Sequence, residues 1–315
     1  MVVQFLLLLA GFGILIKGAD WLVDGSSALA RKNKVSDLAI GLTIVAFGTS
    51  MPELVVNVFA AYQGTSEIVF GNIIGSNLFN LFVILGIAGL ITPLAVQSST
   101  VWKEIPLSFL AVLMLFLFSN GFFSGNEILS RIDGAVLLLF FGFFLYYVFT
   151  QLKAENKHSA ERPKELTNLK IWIYIILGLG LLVMGGKLVV SASVKIALDL
   201  HISQALIGLT IVAAGTSLPE LATSVVAAIK KNNDIAVGNI IGSNIFNIFL
   251  VLGVSAFIRP VHYDVKFNYE LYLLGFGTIL LFIAMFAGKK KKLDRWEAGI
   301  LLLIYLVYTI YLIRS

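Results

Sequence analysis

Gly48-Thr49-Ser50-Met51-Pro52-Glu53 lies inside an apolar stretch from 36 to 62, and Gly215-Thr216-Ser217-Leu218-Pro219-Glu220 lies inside another from 203 to 229. Proline has no N–H and its ring displaces the carbonyl four residues earlier. A helix through either stretch is therefore expected to break at Pro52 or Pro219 and to free carbonyls around Ala46 to Gly48 and Ala213 to Gly215. At bilayer depth such carbonyls are tolerated only against protein or a polar cavity. A carboxylate, Glu53 or Glu220, follows each break, and a charge there costs about 2.5–3.5 kcal/mol on the mildest insertion scale. Protonated glutamates bonded into a core are the bland reading. Two of them at matching positions beside hydroxyls and freed carbonyls favour cation ligands.

The surrounding chain is that of a membrane protein. Of 315 residues 58% are strongly apolar and only 13% charged, against about half and a quarter in a soluble domain. That balance excludes a soluble enzyme or nucleic-acid binder, and the +5 net charge is no nucleic-acid signal. Ten stretches long enough to cross a hydrocarbon core can be drawn: 3–30, 36–62, 67–93, 104–120, 130–151, 170–198, 203–229, 235–258, 269–287 and 295–313. The first reads as a retained helix and not as a removed signal. With no cysteine there is no disulfide framework or thiolate metal site.

Sixteen of the 23 Lys and Arg fall in alternate loops, including Arg31, Lys32, Lys34, Lys103, Lys230, Lys231 and the run 289–292, against five in the other loops. Basic loops stay in the cytoplasm, so the 1–2, 3–4, 5–6, 7–8 and 9–10 loops are expected inside and both termini extracellular, in a multi-pass protein of the cell membrane. The polar linker 151–169 divides a first unit, 1–150, from a second, 170–315.

The two units repeat. A shift of 167 residues lays 35–94 on 202–261 without a gap, and roughly half of those 60 positions are identical. The same shift matches Gly11, Gly13 and Gly18 to Gly178, Gly180 and Gly185. Five spans per unit is an odd number, so the second copy enters from the opposite face. The expected fold is an all-α bundle of ten transmembrane helices in two inverted five-helix repeats, with broken helices 2 and 7 at the centre. Secondary transporters are commonly built this way, with the substrate at the midplane.

Helices 3 and 8 carry Gly71-Asn72-Ile73-Ile74-Gly75-Ser76-Asn77-Leu78-Phe79-Asn80 and Gly238-Asn239-Ile240-Ile241-Gly242-Ser243-Asn244-Ile245-Phe246-Asn247. Ser76 and Asn80, like Ser243 and Asn247, are four apart and share a helical face. With Glu53, Glu220, Thr49, Ser50, Thr216 and Ser217 they would form a shell of oxygen. Asn72, Asn77, Asn239 and Asn244 fit two roles equally well, as ion ligands or as bonds between helices beside the glycines. His158, His201 and His262 fall in loops or at helix ends, so the spans offer no usual zinc or iron site. An all-oxygen shell selects hard cations, and calcium and sodium suit it better than magnesium, which gives up water reluctantly.

At these residues the chain resembles the calcium/cation antiporter superfamily, most closely the compact prokaryotic members of its sodium/calcium exchanger family. The resemblance extends over the whole chain. It implies exchange of Na+ for Ca2+ by alternating access. It also implies ion ligands at Ala46, Thr49, Ser50, Glu53, Ser76 and Asn80 and at Ala213, Thr216, Ser217, Glu220, Ser243 and Asn247. It further implies that helices 1 and 6 slide over the core, which their glycines, Gly186 included, would permit. Lys17, Asp20, Asp24 and Lys187 are assigned to pairs or snorkelling near helix ends. No cofactor, catalytic residue or obligatory protein partner is expected; the partners are the two ions and lipid. Many family members have aspartate where this chain has Asn80 and Asn247, which leaves a fixed charge of −2 and the stoichiometry open. The alternatives are a proton/calcium antiporter of the same superfamily and, from another class, a cation channel.

Overall fold

A computed structural model describes residues 2–122, 125–151, 166–200, 213–287 and 291–314. Most of the expected linker with His158, the segment 201–212 with His201 and the first half of the seventh span, and Lys289 and Lys290 lie outside the described residues. The helices are α1 (Val2–Asn33), α2 (Asp37–Thr49), α3 (Met51–Gln63), α4 (Ser66–Ile91), α5 (Thr100–Ser119), α6 (Arg131–Gln151), α7 (Asn168–Asp199), α8 (Ala213–Thr216), α9 (Leu218–Ile229), α10 (Asn233–Ile258), α11 (Asn268–Ala284) and α12 (Arg295–Arg314). Among the described residues eight helices are long and apolar enough to cross a membrane, and α2 with α3, bent by 48°, pass the same test together, which brings the count up to nine if the pair is one span. The chain is a multi-pass membrane protein.

Burial orders the bundle. The apolar windows of α4 and α10 are 78% and 83% buried, those of α6 and α12 only 22% and 17%, so α4 and α10 form the centre and the latter two face outward. Each central helix contains a π-helical turn, Phe79–Ile84 and Phe246–Leu252, beginning one residue before an asparagine; such turns inside α-helices often mark functional positions. Around them pack Phe82, Phe246, Phe249, Ile73 and Ile240, all buried.

The long helices α1 and α7 run antiparallel against each other along glycines. A Cβ on Gly18 would stand 2.8 Å from Leu182 N and 2.9 Å from Gly178 O, so only glycine lets the two backbones approach there. Gly11 and Gly185 make the matching contact one step along. Gly13 and Gly180 have nothing within 4 Å of a Cβ position and take no part in this packing. Asp20 and Asp24 of α1 pair across to Lys230 beyond α9, at 2.6 and 2.7 Å, and Asp20 also to Lys17 at 3.1 Å.

The all-helical expectation needs one amendment, because four two-residue strands form between helices: β1 (Leu94–Ala95), β2 (Ile128–Leu129), β3 (Val261–His262) and β4 (Lys292–Leu293). β1 pairs antiparallel with β4 (Leu94 with Leu293) and β2 with β3 (Leu129 with Val261). Each pair joins a loop of the first unit to a loop of the second, and each time the charge count assigns both loops to one side of the membrane. Loop backbone groups lack helical partners, and pairing satisfies them. That need, which hydropathy does not register, accounts for the strands.

Candidate cation site

The break between α2 and α3 falls at Ser50 (φ −81°, ψ 6°), and Ser217 has nearly the same backbone (φ −89°, ψ 8°) between α8 and α9. It falls two residues before the proline in each unit. The helical turn runs on to Ser50, whose N–H donates to Ala46 O at 3.0 Å, and the Thr49 hydroxyl lies 3.4 Å from the same oxygen. The Ala46 carbonyl therefore keeps its amide, and the carbonyl whose helical donor is missing is that of Gly48, four residues before Pro52. Each proline sits in the first turn of the following helix, where a missing N–H costs nothing. Each glutamate sits in the same first turn, where the positive end of the helix offsets part of the cost of burying an anion.

Both carboxylates are buried, and each is gripped from the other unit. Ser217 Oγ donates to Glu53 Oε1 at 3.1 Å, and Ser50 Oγ donates to Glu220 Oε1 at 2.9 Å. From its own unit Ser76 reaches Glu53 Oε1 at 3.5 Å and Ser243 reaches Glu220 Oε1 at 3.4 Å. Thr49 Oγ1 donates to Asn239 Oδ1 (2.9 Å) and Thr216 Oγ1 to Asn72 Oδ1 (3.3 Å). Asn80 Nδ2 donates to Asn244 Oδ1 (3.1 Å) and Asn247 Nδ2 to Asn77 Oδ1 (3.3 Å). Every one of these bonds has a counterpart under the shift of 167. Glu53, Ser50, Thr49, Ser76, Asn80 and their partners thus meet in one place; of Ala213 only the helical backbone is described.

The network leaves over four acceptors, in two pairs related by the shift of 167, and one donor, Asn77 Nδ2, whose counterpart on Asn244 is not among the unpartnered atoms. Glu53 Oε2, Glu220 Oε2, Asn80 Oδ1 and Asn247 Oδ1 are buried without a hydrogen-bond donor. Leaving a buried acceptor unsatisfied costs about 1–3 kcal/mol, more when it is charged. Four acceptors, two of them on carboxylates, form an arrangement that a desolvated cation would satisfy. No group of three Asp, Glu, His or Cys able to hold a metal exists among the described residues. Neutral oxygens must therefore supply much of any shell.

Each amide oxygen of Asn72, Asn77, Asn239 and Asn244 accepts a hydrogen bond from a site residue of the opposite unit. Sequence reasoning missed the layer behind them. Asn72 Nδ2 donates to Asn57 Oδ1 at 2.6 Å and Asn239 Nδ2 to Ser224 Oγ at 2.9 Å, while Asn57 Nδ2 holds Val69 O at 3.1 Å. Asn57 and Ser224 are themselves related by the shift of 167 and lie one turn beyond Glu53 and Glu220. The signal was there as two polar residues on a carboxylate's face of an apolar helix.

A multi-pass helical bundle with a buried, oxygen-lined, internally duplicated centre is the architecture of a membrane transporter. Comparison with known proteins agrees: the sodium/calcium exchanger protein family model matches residues 3–150 and 170–314, and the chain belongs to that family. CaxA of Alkalimonas amylolytica is 38% identical over 326 residues, covering 100% of both chains. The sodium/calcium exchanger MaX1 of Methanosarcina acetivorans is 30% identical over 348 residues, covering 98% of both. A solved structure of the sodium-calcium exchanger NCX_Mj superposes with a TM-score of 0.83 at 32% identity over 98% of each chain.

Proposed function

We infer that this protein exchanges Na+ for Ca2+ by alternating access, with both ions drawn to the oxygens between α2/α3, α4, α8/α9 and α10. The observation that carries the reading is the set of four buried acceptors without donors, in two pairs related by the shift of 167. Calcium takes six to eight oxygens in adaptable geometry, which two carboxylates, the hydroxyls of Thr49, Ser50, Ser76, Thr216, Ser217 and Ser243, the Asn80 and Asn247 amide oxygens and backbone carbonyls at Ala46 and Ala213 can share. Glu53 and Glu220 balance one calcium; sodium ions at overlapping oxygens would compete with it. The names of MaX1 and NCX_Mj support the ion pair.

Ten spans in two inverted repeats, divided as 1–150, 151–169 and 170–315 with both termini outside the cell membrane, is the topology this reading needs. The mirrored bonds and the loop-to-loop strands support it. So does the close glycine packing that lets α1 and α7 move as a pair over the site.

Radioactive calcium uptake into sodium-loaded proteoliposomes, diluted into sodium-free buffer, tests the function. Uptake that requires internal sodium, survives a proton uncoupler and vanishes in Glu53→Gln and Glu220→Gln is the expected result. Uptake that follows an imposed proton gradient would instead assign proton coupling, and a persistent conductance without saturation would assign a channel.

A further inference from the structure

We propose that a second, sodium-sized cation site, separate from the central one, lies around Glu104 on the basic side of the membrane. Glu104 is 1% exposed at the start of α5. One of its oxygens accepts from the Tyr147 hydroxyl of α6, while Oε2 has no partner. The hydroxyl of Thr100, one turn earlier, is buried and faces the same carboxylate. Lys103 acts on the group only through space: its Nζ lies over the Tyr147 ring, 5.2 Å from the centroid, and makes no salt bridge to the carboxylate. An ionised carboxylate buried without a paired cation is costly unless a proton or a cation neutralises it.

A small cavity opens at this carboxylate. Its volume is about 10 Å³, room for one water or an ion of similar size, and the residues that line it include Ser36, Gln97, Ser99, Glu104 and Tyr147, each of which carries a side-chain oxygen. One carboxylate among neutral oxygens matches a hard monovalent ion in charge; a divalent ion would stay half neutralised. The cavity touches Ser36, Leu38, Ala39 and Leu42 at the start of α2, and Gln97 donates at 2.7 Å to Asp234 at the start of α10. An ion here would brace both central elements at one end, so cytoplasmic sodium would act on the carrier without entering the transport site. The shift of 167 sets Leu271 opposite Glu104, but the neighbouring Glu270, at the start of α11, makes a similar contact: it accepts from the Tyr308 hydroxyl of α12 at 3.3 Å and also leaves Oε2 buried without a partner.

Two measurements on the full chain in detergent decide it. The first is equilibrium binding of radioactive sodium to wild type and Glu104→Gln in saturating calcium. One sodium per chain is expected to resist calcium and to be lost in Glu104→Gln. The second is the thermal unfolding midpoint of Glu53→Gln/Glu220→Gln in sodium against choline chloride at equal ionic strength. Sodium is expected to raise it by about 2–4 °C, and adding Glu104→Gln is expected to abolish the rise. Equal sodium binding in wild type and Glu104→Gln overturns the proposal, as does a midpoint that follows pH and ignores sodium. If calcium displaces no sodium at all, the central-site reading fails, while the difference between wild type and Glu104→Gln still decides this one.

Discussion

Asn80 and Asn247 each give one amide hydrogen bond across the centre, to Asn244 and Asn77, and present one oxygen without a donor. Asn80→Asp would turn a donor into an acceptor facing Asn244 Oδ1 and add a third negative charge. The calcium-free protein is expected to lose about 1–3 kcal/mol of stability, and calcium to restore more in the variant than in wild type. Unfolding midpoints with calcium and with chelator check this. Asn247→Asp should match Asn80→Asp, because its surroundings are the same under the repeat; a large difference would show that the two halves of the site do unlike work. Behind the carboxylates, Asn57→Leu removes the acceptor for Asn72 and the donor to Val69 O. It is expected to weaken calcium binding without touching the ion, read as a raised half-saturation for uptake.

At the scale of elements, the contact between α1 and α7 discriminates between glycines that look alike in sequence. Gly18→Ala would force a methyl to 2.8 Å from Leu182 N, and overpacking of this kind costs about 1–3 kcal/mol. Gly13→Ala meets open space and is expected to leave the unfolding midpoint within error of wild type. The two ion pairs from Lys230 to Asp20 and Asp24 tie α1 to the end of α9. Their counterparts under the repeat are Gln63, Lys187 and Ser191, which cannot form them, so the ties favour one arrangement of α1 over its mirror image. The pairs are part-exposed and worth about 0.2–1 kcal/mol each. Lys230→Gln is therefore expected to raise thiol labelling of Ser27→Cys, a buried position on α1, by about twofold to fivefold. The native chain has no cysteine to confuse the reading.

For the whole molecule, the strand pairs and the polar contacts between loops sort the described connections into two sets, one at each end of the bundle. Gln97 meets Asp234 and Asn232 meets Asp37 at one end; Lys266 meets Glu67 and Arg259 meets Tyr62 O at the other. Labelling with an impermeant thiol reagent reads the sidedness directly. Tyr62→Cys is expected to react in intact cells, and Lys32→Cys only after permeabilisation. The opposite pattern would invert the topology and move the Glu104 cavity to the outer face.

Membrane residence, the repeat, the two carboxylates and the oxygen-bearing shell were all legible in the amino-acid order, since each is a property of local chemistry or of spacing along the chain. A proline in an apolar run, a buried charge and a 167-residue self-match need no third dimension to be seen. Which oxygens are satisfied did need it. The hydroxyl of Ser50 is committed to Glu220 and that of Ser217 to Glu53 across 170 and 164 residues, and no sequence period connects them. The same holds for the four asparagines, whose oxygens accept from neighbours of the opposite unit, and for the Ala46 carbonyl, which kept its amide because the last helical turn before the break closes at Ser50. Glu104 read as one more residue at a span's end. Only packing against Tyr147 and the start of α2 made it a buried carboxylate with an oxygen to spare, because hydrogen-bond satisfaction is settled between elements and not along them.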